Sequence, residues 1–179
     1  MGSIIKVNEY KDFNNNAIMT SDGSGNVTVN AVGLKNTPAF SAYLSGSQTI
    51  NQDTHTTAQF NTEVFDTDSN FDVSTYRFTP TTSGKYLIGA EMMVSKDAAE
   101  LKVALMRIRK NGSTVREVRV DIRNSTGKQF GPSMVITPEA NGSSDYFDVS
   151  FYADTTESTA VIGGGSSGAI FYGYKLIGV

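Results

Sequence analysis

The 179-residue chain has no cysteine, no tryptophan and a single histidine, His55. Without cysteine there is no disulfide framework, no thiolate nucleophile and no thiolate metal site. Such a chain survives in any redox compartment, so the absence assigns none. Without tryptophan, stacking on a sugar ring falls to tyrosine. A serine-type triad would have only His55 as its base, and no nucleophile-elbow sequence accompanies it. His55 lies in the polar run Asn51-Gln52-Asp53-Thr54-His55-Thr56-Thr57, which reads as a loop. No stretch approaches the ~20 apolar residues of a membrane-spanning helix. The opening, Met1-Gly2-Ser3-Ile4-Ile5-Lys6, lacks the charged and apolar regions of an export signal. The formal net charge of −3 lacks the basic excess of a nucleic-acid binder. The expectation is a soluble chain with no nucleic-acid partner and no membrane insertion.

What is present is an ordinary globular composition, 39% apolar, at a length that suits one domain and a modest extension. Residues 1–37 differ from the rest. They hold the turn signals Asn14-Asn15-Asn16 and Ser21-Asp22-Gly23-Ser24-Gly25-Asn26, with only short apolar pieces such as Ile4-Ile5-Lys6-Val7 and Val27-Thr28-Val29 between and around them. This segment buries little by itself and is read as an arm that lies against something else. From residue 38 onward, short β-type runs alternate with turns, and strands are expected over 39–44, 57–65, 74–79, 85–94, 101–110, 115–123, 134–137, 146–153 and 169–177. In 115–123, Val118, Val120 and Ile122 alternate with Glu117, Arg119, Asp121 and Arg123, the pattern of a half-buried strand. Residues 101–110 have helical propensity, but Asn111-Gly112 between two alternating runs predicts a hairpin instead. This many short strands imply an all-β sandwich or closed double sheet.

One stretch is more specific: Phe60-x5-Asp66-x4-Phe71-x6-Phe78-x5-Gly84-x-Tyr86. It resembles the signature of the globular head of complement component one, subunit q, a jelly roll of the tumour-necrosis-factor type. That pattern continues with two alternate aromatics, where this chain has Ile88 and Ala90, so the match ends early, within a core strand. Pro38-Ala39-Phe40-Ser41-Ala42 is similar to the family's first strand, and Phe171-Tyr172-Gly173-Tyr174-Lys175-Leu176 to its last. The physics agrees locally: Gly84 stands where the chain turns into a strand, and Phe78 and Tyr86 bracket that turn. The resemblance implies a jelly-roll sandwich over 38–179 behind an extended N-terminal arm over 1–37. It also implies a compact homotrimer and ligand recognition on loops or between protomers.

A second resemblance is to bacteriophage structural proteins. Ser3-Ile4-Ile5-Lys6-Val7 is similar to the opening of many phage tail-fibre proteins, and Thr37-Pro38-Ala39-Phe40 and Phe65-Asp66-Thr67-Asp68 to stretches of marine-phage fibre tips. It implies a virion protein, on the tail fibre or capsid surface, with Ile4, Ile5 and Val7 attaching the arm to other virion proteins.

Candidate sites follow. Asp66-x-Asp68-x-Asn70-x-Asp72 has the oxygen spacing of a calcium loop, but the sixth and twelfth positions hold Phe71 and Arg77, so it is no EF-hand. Related heads can hold calcium, which keeps Asp66, Asp68 and Asp72 as a looser calcium candidate beside the alternative of a solvated acidic turn. Gly163-x-Gly165-x-x-Gly168 matches a dinucleotide fingerprint in spacing only, since a β-type run follows it where a helix is required. Residues 102–128 carry eight basic and two acidic side chains, whereas 53–72 carry five acidic and no basic ones. They read as two solvated faces, or as complementary patches that meet between protomers or attract an anionic surface. If Phe171 faces the core, Tyr172 and Tyr174 face out, near the threefold axis of a trimer. The four Asn-x-Ser/Thr sequons are what chance supplies in a chain this rich in Asn, Ser and Thr.

The expectation is a virion protein that binds or builds and does not catalyse. It is a trimeric fibre or spike adhesin for the host surface, glycan included. The alternative is a head fibre or capsid-decorating protein. A polysaccharide depolymerase is a third class, less favoured because such fibres are usually long, repetitive β-helices. No cofactor is expected apart from the calcium candidate.

Overall fold

The computed structural model describes residues 6–95, 101–123 and 129–178. Three strands come first: β1 (Glu9–Lys11), β2 (Ala17–Ser21) and β3 (Val27–Val29). A 3₁₀ turn, Val32–Leu34, follows. Next are β4 (Ala39–Tyr43), β5 (Gln48–Asn51), β6 (Thr56–Thr57), β7 (Thr62–Asp66), β8 (Phe71–Asp72), β9 (Arg77–Phe78) and β10 (Gly84–Met92). The chain continues through β11 (Val94–Ser95), β12 (Leu101–Lys110), β13 (Ser113–Asp121), β14 (Gln129–Phe130) and β15 (Ser133–Ile136). It ends with β16 (Glu139–Ala140), β17 (Phe147–Thr155), β18 (Thr159–Ile162) and β19 (Ala169–Lys175).

Strands β4 to β19 form two facing sheets. One runs β15-β10-β19-β4-β7, with β16 beside β10; the other runs β13-β12-β17-β9-β8, with β6 beside β17. A smaller sheet, β14-β11-β18-β5, extends the sandwich. Alternation sends one set of side chains between the sheets. Tyr86, Ile88, Ala90 and Met92 of β10 are buried, as are Phe147, Val149, Phe151 and Ala153 of β17. The core is aromatic where the sheets meet. Phe40 stacks on Phe78 at 4.3 Å and on Phe71 at 4.9 Å, and takes Phe171 edge-on at 4.8 Å.

These contacts give the sequence signature a physical meaning. Phe60, Phe71, Phe78 and Tyr86 are all core residues, and Phe78 meets Tyr86 edge-on at 5.8 Å. The Asp66 carboxylate accepts the Phe71 amide at 2.7 Å and so ties the 66–71 loop. Gly84 has φ +142°, in the region that favours glycine, at the entry to β10. The Tyr86 hydroxyl donates to the Thr82 carbonyl at 2.5 Å across that turn, and burial pushes the phenol up to about 12.

Two expectations are corrected here. The run 57–65 is not one strand: β6 joins β17 in one sheet and β7 joins β4 in the other, with the buried Ala58 and Phe60 on the crossing between them. Strands β5, β8 and β18 carry no long alternating pattern and form through their partners, β5 with β18, β18 with β11, and β8 with β9. The hairpin at Asn111-Gly112 forms as expected, with φ +53° and +79° and β12 paired to β13 through its length.

Within the N-terminal arm, β1-β2-β3 make a small antiparallel sheet of their own. Its two turns are chemically alike. Asp12 accepts the Asn14 and Asn16 amides at 2.9 and 2.8 Å, and Asp22 accepts those of Ser24 and Asn26 at 2.7 and 3.2 Å. One face of this sheet is apolar: Tyr10 lies opposite Met19, and Met19 opposite Val29. The other carries Glu9, Thr20 and Thr28.

Truncation of the central ring tests the core. Phe40→Ala should cost about 3–5 kcal/mol, the usual loss for a buried phenylalanine. Urea denaturation should show this as a lower midpoint at unchanged slope.

Candidate functional site

The outward face of the β13-β12-β17-β9-β8 sheet holds the polar site. Strand β17 is buried on both faces, so its outward residues are buried polar ones: Asp148 and Ser150 are 2% and 1% exposed. Asp148 lies directly opposite Arg109 of β12. Phe147 lies opposite Phe78 of β9, which puts Arg77 on the other flank of Asp148. The result is an Arg–Asp–Arg ladder across three strands. Arg109 Nε donates to Asp148 at 2.6 Å and Nη2 donates to the Thr57 hydroxyl at 3.0 Å. Arg77 Nε stands 3.9 Å from the same carboxylate. Register with β13 slips between Ile108 and Arg109, with Val115 the extra residue on β13, while Arg109 stays in regular register with β17.

The 109–112 hairpin positions the rest. Asn111 exchanges two hydrogen bonds with the Tyr146 backbone: its amide donates to the Tyr146 carbonyl at 3.0 Å, and its side-chain oxygen accepts the Tyr146 amide at 2.9 Å. Asn111 also donates to Asp145 at 2.8 Å, and Lys110 pairs with Asp145 at the same distance. This clamp sets the Tyr146 ring under Arg77, whose guanidinium carbon lies 4.1 Å from the ring centroid. The Lys110 and Asn111 bonds hold the Asp145 carboxyl below the usual carboxylate range.

A groove of about 390 Å³ opens above the ladder, between Arg77, Arg109 and Tyr146 on one side and the 74–76 turn on the other. Tyr76 has φ +61°, a costly conformation for a bulky side chain. Asp72 holds it there: the Tyr76 amide donates to the Asp72 carbonyl at 2.6 Å. The Asp72 carboxylate accepts the Ser74 and Thr75 hydroxyls at 2.7 and 2.8 Å. Those bonds, Ser74 first, depress the Asp72 carboxyl to about 2. No feature of the sequence pointed to this groove, because its residues come from strands β6, β9, β12 and β17 and from the turns between strands, spread over 57–148.

The sequence-derived candidates lie elsewhere. Asp66, Asp68 and Asp72 are each taken up by their own turns: Asp66 by the Phe71 and Asp68 amides, Asp68 by the Thr67 hydroxyl, Asp72 as above. Among the described residues, no three His, Asp or Glu side chains cluster as metal ligands. Phe171 is buried and the two tyrosines do face outward: Tyr174 is exposed, and Tyr172 lies half-buried over Gly89, where any Cβ would meet its ring. On that sheet face Val135, Gly89 and Tyr172 stand in one cross-strand row. Val7 is exposed and, with Tyr10, Met19 and Val27, lines a shallow apolar hollow on the arm sheet. Ile4 and Ile5 lie outside the described residues. His55 is an exposed loop residue whose ring lies tilted against Tyr152 at 4.9 Å; partial burial and the nearby Arg107 lower its pKa. Gly163 to Gly168 is the loop between β18 and β19, packed backbone to backbone with Gly46. Much of the basic stretch is paired within the chain: Lys102 with Asp154, Arg107 with Glu117, Arg109 with Asp148 and Lys110 with Asp145.

No family model matches the sequence, and no curated protein does either. Solved structures do. Eiger, a tumour necrosis factor from S. frugiperda, superposes with a TM-score of 0.56 at 11% identity, covering 79% of this chain and 93% of that one. The globular domain of zebrafish complement 1qA gives 0.53 at 16%, covering 78% and 97%. Murine APRIL gives 0.56 at 10%, covering 77% and 99%. The fold is therefore an all-β jelly roll of the complement-q and tumour-necrosis-factor type.

Two outcomes test the site's construction. Arg109→Ala should destabilise by about 3 kcal/mol, because it leaves the buried Asp148 carboxylate without its short hydrogen bond and with only Arg77 at 3.9 Å. Arg77→Ala, at a half-exposed position, should cost under about 1 kcal/mol; paired thermal melts separate the two. Acid should also weaken the fold. Asp72, Asp145 and Asp121 have folded pKa values below their ordinary 3.8. Their contribution is complete above that value and is lost as pH falls through the folded values, which for Asp72 means down to about 2. Melting temperatures measured from pH 5 to pH 2 should fall steadily over that window.

Proposed function

We propose that this chain is a virion protein of a bacteriophage, a homotrimeric fibre or spike adhesin whose jelly-roll head binds the host surface and whose first 37 residues attach it to the particle. The observation that carries the reading is the exposed outer face of the β15-β10-β19-β4-β7 sheet. Val135, Tyr174 and Phe65 project from it, 53%, 36% and 48% exposed, beside Tyr172. A monomer has little reason to present such a face, whereas packing three copies about an axis covers it. Tyr172 and Tyr174 are the interface residues in this reading.

The arm supports the second half of the proposal. Its apolar hollow, with Val7 at the edge, is separated from the head by only the nine residues between β3 and β4. It suits a contact with another virion protein while the head points away. The phage assignment rests on the resemblance of Ser3-Ile4-Ile5-Lys6-Val7, Thr37-Pro38-Ala39-Phe40 and Phe65-Asp66-Thr67-Asp68 to fibre proteins. Binding, and not catalysis, is the work assigned: three heads per fibre and several fibres per particle turn weak contacts into firm adhesion.

Sedimentation equilibrium should give a trimer, and Tyr174→Arg, which places three like charges at the axis, should give monomers that still fold. Gold-labelled antibody on intact particles should mark the tail or its fibres. Label over the head would replace the adhesin with a capsid-decorating protein, and a monomeric parent would remove the trimer.

A further inference from the structure

The groove above the Arg77–Asp148–Arg109 ladder has a chemical polarity that names its ligand class. At one end are guanidinium donors. Arg109 commits Nε and one Nη2 hydrogen of its five N–H groups to Asp148 and Thr57. Arg77 makes its cation–π contact and its 3.9 Å ion pair, and among the described residues its guanidinium donates no hydrogen bond. Two cations thus face one carboxylate, and the second cation has an unused planar fork at the groove mouth, with its side chain 43% exposed.

At the other end are acceptors. The Ser74 and Thr75 hydroxyls spend their protons on Asp72, so their oxygens are left to accept. Asp72 lies cross-strand from Arg77, yet it is bound into its own turn and makes no ion pair with that residue. Thr57 accepts from Arg109, so its own proton is free to donate. Tyr76, held at φ +61°, and Tyr146 wall the groove with rings. A bare inorganic anion would use the donors and leave the acceptors unmatched. An apolar ligand would strand both.

We infer that this groove binds a carboxylated sugar, with the carboxylate on the Arg77 fork and ring hydroxyls donating to Ser74 and Thr75. The inference rests on the adhesin reading only for its biological setting, a uronate- or other acid-bearing glycan of the host surface; the binding chemistry stands by itself. Bidentate pairing of a guanidinium with a carboxylate supplies orientation, and the hydroxyl acceptors distinguish a sugar from a simple acid. Arg109 and Asp148 act as the platform: they set the field and the position of Arg77 and do not leave each other.

Isothermal titration of the full chain tests this with four probes: a glucuronate-containing tetrasaccharide, the same tetrasaccharide with its carboxyls reduced to alcohols, sodium sulfate, and a tetraglutamate peptide. The acidic tetrasaccharide should bind, and reduction should weaken it by at least about tenfold, the scale of one charge-assisted bidentate contact. Arg77→Gln should lose the same factor with an unchanged melting temperature, and Arg77→Lys, which keeps the charge without the fork, should recover only part of it. Equal binding of the reduced sugar, sulfate or tetraglutamate as effective as the acidic sugar, or full binding by Arg77→Gln would each overturn the inference. Whole-cell binding separates the two readings. Cells bound equally by parent and Arg77→Gln would overturn the sugar site and leave the adhesin standing. Tetrasaccharide bound by a protein that binds no cells would uphold the site and remove the adhesin.

Discussion

Phe40 lies in the first strand of the jelly roll, yet its ring touches Phe71 and Phe78 of the opposite sheet and Phe171 of the last strand of its own. A flat ring stacked on two neighbours and met edge-on by a third fills the space between sheets at close to crystal density. Everything outward of that cluster depends on it. It sets the spacing of the sheets, which fixes where β9 lies beside β17, which in turn places Arg77 beside Asp148. Two residues near the start of β10 serve the same cluster: Gly84 turns the chain and Tyr86 meets Phe78 edge-on.

Each sheet then has one face committed to the core and one left over, and the two spare faces differ in chemistry. That of the β15-β10-β19-β4-β7 sheet carries Val135, Phe65, Tyr172 and Tyr174, with Glu91 and Ser133 toward one end. That of the β13-β12-β17-β9-β8 sheet is a lattice of ion pairs, with Arg107–Glu117, Arg109–Asp148 and Lys102–Asp154 laid across adjacent strands. Apolar area left in water favours association, whereas paired charges with hydroxyls between them favour a polar ligand over a protein neighbour. The proposed assembly and recognition surfaces thus lie on the outer faces of two different sheets. The arm adds a third, smaller surface, built from two Asp-capped turns and three short strands, with Tyr10, Met19 and Val29 on one face.

Much of the fold was legible in the sequence. The spacing of Phe60, Asp66, Phe71, Phe78, Gly84 and Tyr86 named the jelly roll, and the alternation in 85–94 and 115–123 set which residues face inward. Asn111-Gly112 set a hairpin, because only residues tolerant of positive φ fit a two-residue turn there. The outward placement of Tyr172 and Tyr174 followed from Phe171 by parity. Other elements were not legible. The run 57–65 reads as one strand because the β-type pattern is continuous, but the chain crosses between sheets at Ala58 to Phe60, and local pattern carries no information about which sheet a strand joins. Strands as short as β8 or β18 take their conformation from a partner's free edge and have no signal of their own.

The sequence by itself determined what can be read along a chain: two alternating faces, turns at fixed residues, aromatic positions in a known order, and the lack of thiol, tryptophan and a second histidine. The tertiary structure alone decided which charges meet. The basic stretch 102–128 read as a solvated face or a patch, yet much of its charge is answered by Asp145, Asp148 and Asp154, 35 to 52 residues beyond their partners Lys110, Arg109 and Lys102. The groove likewise draws Thr57, the 74–77 turn, Arg109 and Tyr146 from segments far apart in the chain. The reason is physical: strand periodicity is a local property, but hydrogen-bonded neighbours in an antiparallel sheet are chosen by register and topology, and a polar site on a sheet surface is made of neighbours across strands.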